Sequence, residues 1–156
     1  MLYYFLLTSF LVAIDQFSKF LTVSNIALYE KIEFIPGFMS FTYIQNTGAA
    51  WSILEGQMWF FYLITIIVTA VIIYFIYSEG KKDKIYGTIL AVILAGTLGN
   101  FIDRLLYQYV IDMIRLDFIS FPIFNIADSL LTVGVVALFI YSIYLDRKSE
   151  KIEKGG

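Results

Sequence analysis

Residues 56–78, GQMWFFYLITIIVTAVIIYFIYS, run for 23 positions without a charge, and a helix of that length crosses the hydrocarbon core of a bilayer with some tilt. Trp59, Tyr62, Tyr74 and Tyr77 are available as anchors at the membrane–water boundary. The whole chain shares this character. Its 156 residues are 60% hydrophobic and 19% aromatic, with a mean hydropathy of +0.79, which excludes an ordinary soluble domain and indicates an integral membrane protein. One compact bundle fits in that length, with no separate soluble domain. Histidine and cysteine are absent, which removes imidazole bases, thiol nucleophiles, disulfides and the usual zinc ligands. No metal or other cofactor is implied. A net charge of −2 gives no reason to expect a nucleic-acid partner.

Working outward from that span, four transmembrane helices are expected. The first occupies about residues 2–21. It has neither the basic start nor the small-residue cleavage site of a removable signal peptide, so it reads as a retained helix. An external segment follows over 22–55, in which Pro36-Gly37 between β-branched and aromatic residues predicts a small hairpin. The second span covers about 56–78, a short loop 79–84, and the third span about 85–103. A mixed external segment over 104–120 leads to the fourth span, about 121–145, and a charged tail, 146–156. Four spans put both termini on one side. The 79–84 loop and the tail carry seven basic residues against four elsewhere, so the positive-inside rule makes both termini cytoplasmic. Asp15, Asn46, Asp103, Asp112 and Asp128 then all lie toward the outer leaflet or the external surface.

Polar groups at the ends of apolar spans normally face a protein interior or a wet cavity and mark function. They are concentrated between Gly96 and Asp128. Gly96, Asn100 and Asp103 or Arg104 recur at helical spacing and form a stripe on the third helix; Asn125 and Asp128 stand three apart at the start of the fourth, and Asp112 lies between. Two carboxylates held close together share one proton, so that one acts as base toward water while the other protonates a carbonyl. Amides are hydrolysed that way without histidine, cysteine or metal, and Asn100 and Asn125 would orient the carboxylates or the substrate. Structural readings stand beside this one: Asp128 as the N-cap of the fourth helix, Asp103 paired with Arg104, and Asp15 with Lys19 as an i,i+4 clamp. A proton relay or small transporter would also use buried carboxylates, although no internal inverted repeat favours transport.

Five motifs, Asp15-Gln16-Phe17-Ser18-Lys19, Asn46-Thr47-Gly48-Ala49-Ala50-Trp51-Ser52, Gly99-Asn100-Phe101-Ile102-Asp103-Arg104, Val110-Ile111-Asp112 and Phe124-Asn125-Ile126-Ala127-Asp128-Ser129, together resemble the bacterial lipoprotein signal peptidases, or signal peptidase II, in order and over almost the whole chain. The resemblance implies an intramembrane aspartyl protease of the bacterial cytoplasmic membrane with its site near the outer leaflet. It would cut a prolipoprotein before its diacylglyceryl-cysteine, and would act as a monomer among membrane lipids. Asp112 and Asp128 match the catalytic pair, and Asn46, Asn100, Arg104 and Asn125 match positions that contact substrate or position the pair. Asp15, Lys19, Gly48, Gly96, Gly99, Asp103 and Ala127 match structural positions. Asp117-Phe118 is closer to the family's usual Asp-Phe ending, but the step of eight from Arg104 selects Asp112; Met113 is the departure. The external segment around residues 32–51 would hold an extended signal peptide by strand-like pairing.

Overall fold

The computed structural model describes residues 1–48 and 56–155. Helix α1 spans Leu2–Asn25, α2 Met58–Ser78, α3 Lys84–Tyr107 and α4 Ile126–Gly155. All four are long and apolar enough to cross a membrane. Strands β1 (Lys31–Ile35), β2 (Met39–Asn46) and β3 (Val110–Leu116) form an antiparallel sheet in the order β1-β2-β3. The mainly helical bundle with a small sheet agrees with the fold expected from sequence.

The packing is inverted relative to a soluble bundle. Along α1 the buried residues are Tyr4, Thr8, Asp15, Lys19 and Thr22, at steps that keep them on one face. Phe5, Leu6, Phe10, Phe17 and Phe20 point outward and are exposed. Lipid is as apolar as leucine, so apolar side chains gain nothing by facing inward, and close van der Waals contact with internal hydrogen bonds holds such helices together. Helix α3 supplies most of that contact. It packs against each of the other three helices, and its buried face includes Gly87, Ala91, Ala95, Gly96 and Gly99.

Two of these glycines have no room for a side chain. A Cβ on Gly96 would sit 2.5 Å from the Ala127 carbonyl oxygen and 2.9 Å from the Leu131 nitrogen, and one on Gly99 would sit 2.6 Å from Asp15 Oδ2. Backbone atoms cannot swing aside as a flexible side chain can. Gly96→Ala is therefore expected to push α4 off α3 and lower stability by about 1–3 kcal/mol, read as an earlier unfolding midpoint in detergent; an unchanged midpoint would contradict this close approach.

The loop between α2 and α3 is tied down by side chains. Asp83 caps α3 by accepting from the Tyr86 N–H at 3.0 Å and accepts from the Tyr141 hydroxyl at 2.6 Å. The Tyr4 hydroxyl donates to the Gly80 carbonyl at 2.6 Å. At the other end of α3, Gln108 takes a left-handed conformation, φ 64°, and turns the chain into β3.

Three features differ from the sequence reading. Helix α1 continues to Asn25, past the expected end near residue 21, because Thr22 and Asn25 side chains bond back to the Ser18 and Leu21 carbonyls within the helix. The mixed segment 104–120 contains a third strand, which joins the hairpin as its second neighbour. Helix α4 begins at Ile126 instead of near 121, because the preceding residues are extended: Ile114 and Phe124 exchange backbone hydrogen bonds at 2.7 and 3.1 Å. The hairpin itself turns at Pro36-Gly37, with Gly37 at φ +70°. Ala49, Ala50, Trp51 and Ser52, expected in the loop after Asn46, lie outside the described residues.

Candidate active site

The first turn of α4 is organised by a reciprocal cap. Asn125 Oδ1 accepts from the Asp128 N–H at 2.9 Å, and Asp128 Oδ2 accepts from the Asn125 N–H at 3.2 Å. This is the arrangement of a capping box, with asparagine first and the acid three residues on. Asn125 is thus the N-cap. The reading of Asp128 as the cap is corrected in this respect: Asp128 sits inside the first turn, and its second oxygen is free to face α3.

There, Asn100 Nδ2 donates to Asp128 Oδ1 at 2.7 Å. Asn125 Nδ2 donates to Asp112 Oδ1 at 2.7 Å and to Asn100 Oδ1 at 3.0 Å. Asn46 Nδ2 donates to Asp112 Oδ2 at 2.9 Å. Each amide has its oxygen engaged by another donor: Asn46 by the Gly48 N–H, Asn100 by Lys19 Nζ, Asn125 by the Asp128 N–H. Each is therefore turned with its NH2 toward a carboxylate. Two helices and two strands meet in this ring, and the two aspartates belong to one continuous hydrogen-bond network.

Asp112 reaches the ring because of strand alternation. In β3, Ile111 and Met113 point to the other face and pack with Tyr43 in a small core, so Asp112 between them points to the α3–α4 side. Met113 is accommodated as a buried core residue, 3% exposed, and Asp112 stands opposite Ile44 of β2, just past a register shift between Phe41 and Ile44. Burial, followed by the charge of Asp128, pushes the Asp112 carboxyl up to about 7, against the opposing hydrogen bonds from Asn46 and Asn125. Asp117 is differently placed. It accepts from Ser40, pairs with Lys31 at 2.9 Å and lies 3.3 Å from Arg115 Nε, so it joins all three strands away from the ring. The Ser40 hydroxyl and the Lys31 ammonium hold its carboxyl below the usual range.

The ring opens on a cavity of about 630 Å³. Asn46, Asn100, Arg104, Asp112 and Asp128 form its polar wall; Leu116, Phe121, Ile123, Leu131 and Val133 form an apolar one. Gly48 also lines it, and its carbonyl accepts from Arg104 Nη2 at 3.2 Å. The Arg104 guanidinium lies 4.4 Å over the Phe61 ring, a cation–π contact that holds a charge within an apolar surround.

Behind the ring is a second, dry cluster. Lys19 Nζ is 2.8 Å from Asp15 and 2.9 Å from Asp103, and all three side chains are essentially inaccessible. Asp103 therefore pairs with Lys19, and the expected pairing with Arg104 is corrected: adjacent helical residues point in different directions. Ala127, wholly buried, donates its N–H to Asp15 Oδ1 at 2.8 Å. Gly96 and Gly99 are the close-approach points that bring α4 and α1 to this level. Sequence reasoning left out Gln16, whose Nε2 donates to Asp103 Oδ1 at 2.8 Å and to the Gly99 carbonyl at 3.1 Å. The available signal was an amide directly beside a buried acid. Phe61 was also missed, and Tyr62 was read only as an anchor at the membrane–water boundary; its hydroxyl bonds the Arg104 carbonyl at 2.9 Å.

The family model described as signal peptidase (SPase) II matches residues 7–144. The chain belongs to the signal peptidase II family. A lipoprotein signal peptidase of Enterococcus faecalis is 57% identical over 98% of this chain and 94% of its own length. One from Listeria monocytogenes is 48% identical over 97% of this chain and 100% of its own length. A solved bacterial membrane enzyme, determined by the in meso method at 2.3 Å resolution, superposes with a TM-score of 0.89 at 38% identity, covering 97% of this chain and 92% of that one. Signal peptidase II proteins are proteases that remove signal peptides from prolipoproteins, which agrees with the family expected from the five motifs. The chain has four helices long and apolar enough to cross a membrane, and its structural neighbours are bacterial membrane enzymes.

Proposed function

We propose that this chain is an intramembrane aspartyl endopeptidase in which Asp112 and Asp128 activate water to cut a prolipoprotein before its diacylglyceryl-cysteine. The observation that carries the proposal is the pair of carboxylates bridged by Asn100 and Asn125, with Asn46 holding the far oxygen of Asp112, at the polar wall of a half-apolar cavity. One carboxylate takes a proton from water as it attacks the scissile carbonyl, and the other donates its proton to the carbonyl oxygen. The amine then leaves with a proton returned by the pair. Asn46, Asn100 and Asn125 hold the carboxylates in place, and Arg104 binds the substrate backbone. Acyl chains of the modified cysteine lie against the apolar wall, which keeps the lipid out of water while the peptide reaches the polar side.

In this reading both termini are cytoplasmic, with the sheet and the ring at the outer leaflet of the cell membrane, and the single membrane domain works as a monomer. The test is cleavage by the purified chain of a diacylglyceryl-modified prolipoprotein beside its unlipidated precursor. Cleavage confined to the modified form is expected. Equal cleavage of both would overturn the lipid requirement, and no cleavage of either would overturn the assignment.

A further inference from the structure

The two aspartates stand on separate elements, β3 and α4, that meet through little of their own backbone. What fixes them relative to each other lies one residue before each. The Ile111 N–H, next to Asp112, donates to Asp103 Oδ2 at 3.0 Å. The Ala127 N–H, next to Asp128, donates to Asp15 Oδ1 at 2.8 Å. The two accepting carboxylates share a single ammonium, Lys19, at 2.8 and 2.9 Å. A third route runs from Lys19 Nζ to Asn100 Oδ1 at 3.2 Å and from Asn100 Nδ2 to Asp128 at 2.7 Å.

Resting on the peptidase reading above, we infer that Lys19 is a positioning residue, the buried ammonium that sets the separation and orientation of the Asp112–Asp128 pair by holding the two carboxylates that anchor the backbone beneath both. The cluster has the properties this role requires. Asp15 and Asp103 are 0% exposed and Lys19 1%, so no solvent screens the pairing or replaces a lost partner. Asp15 and Lys19 belong to α1, Asp103 to α3, and the groups they hold belong to β3 and α4. Gln16 Nε2 closes the cluster by bonding Asp103 and the Gly99 carbonyl, so each carboxylate keeps one rotamer. Without the ammonium, Asp15 and Asp103 repel each other and the two anchored N–H groups move apart. A displacement of about 1 Å in such a pair lowers turnover about 100-fold, with substrate binding at the cavity wall left in place.

The experiment compares the purified full-length chain with Lys19→Met and with the double variant Asp15→Asn/Lys19→Met, which removes an acid with the base and so keeps the buried net charge. Three quantities are read: kcat, KM for the lipidated precursor, and backbone amide exchange at Ile111 and Ala127 relative to Ile93 in the middle of α3. The expected result is a kcat lower by about 100-fold, a KM within about threefold of the parent, and exchange accelerated selectively at Ile111 and Ala127. Should Lys19→Met not fold, the double variant, from which the Asp15–Asp103 repulsion is also removed, reads the loss of the Lys19 bridge alone through the same kcat and exchange comparison. A folded variant with parental kcat overturns the inference. So does a fall in kcat with no selective change in exchange, since the loss would then not run through the two anchored segments. If the parent leaves the lipidated precursor intact, the peptidase assignment falls instead, and the exchange comparison alone decides whether Lys19 anchors both segments.

Discussion

Asp112→Asn and Asp128→Asn are each expected to lower cleavage by roughly 10³-fold or more, because a shared-proton pair fails as a unit when either member can no longer exchange a proton. Both substitutions nearly preserve shape, but neither is silent for the ring. Asp112 accepts from Asn46 on one oxygen and from Asn125 on the other, and Asp128 likewise accepts from Asn100 and from the Asn125 N–H. An amide supplies one acceptor where two are needed, so one donor in each variant loses its partner, at a cost of about 1–3 kcal/mol. Thermal unfolding in detergent should accompany the assay so that lost turnover is measured on folded protein. Asp117→Asn is the control: its partners are Ser40, Lys31 and Arg115 at the far end of the sheet, and its cleavage rate should remain near that of the parent. Retained activity in folded Asp112→Asn, with activity lost in Asp117→Asn, would overturn the assignment of the pair.

The second large effect is on pH dependence. The Asp112 carboxyl is raised to about 7, by burial first and by the Asp128 charge second. Below that pH the pair retains the proton that the carbonyl oxygen must receive, and above it the proton is lost. Turnover should therefore fall about tenfold per pH unit on the alkaline side of 7, the midpoint belonging to the coupled pair and not to one residue. Stability has the same sign. The native state binds this proton more tightly than the unfolded chain, so the stability present near pH 4 declines as pH rises toward 7 and levels off beyond it. A kcat profile flat from pH 6 to about 9 would contradict a one-proton mechanism.

The fold class was legible because a bilayer leaves few choices: uncharged runs of about twenty residues must be helices. The hairpin was legible from Pro36-Gly37. The third strand was not, because Val110–Leu116 is a strand only in the company of β2, and its alternation is hidden by burial of Val110, Ile111, Asp112 and Met113 in succession. The start of α4 was misplaced for a related reason. Phe121–Phe124 is as apolar as the helix that follows, and the pairing of Phe124 with Ile114 together with the Asn125–Asp128 cap shows where helix begins. Among the site residues, the asparagines and aspartates stood out as polar groups in apolar surroundings. Their wiring did not: Asp103 has an arginine beside it in sequence and a lysine from another helix beside it in space.

The Asp15–Lys19 pair also bears on how the chain enters the membrane. The two side chains stand one helical turn apart on α1 and touch at 2.8 Å, so α1 brings its acid and its base into lipid as a neutral couple without needing another helix beside it. Helix α3 carries Asp103 and Arg104 side by side, one charge of each sign but not paired with each other. The contact that joins Asp103 to Lys19 belongs to a later stage, when α1 and α3 meet in the bilayer. A final core that is strongly ionic thus begins, in α1, from a piece that is electrically acceptable to lipid.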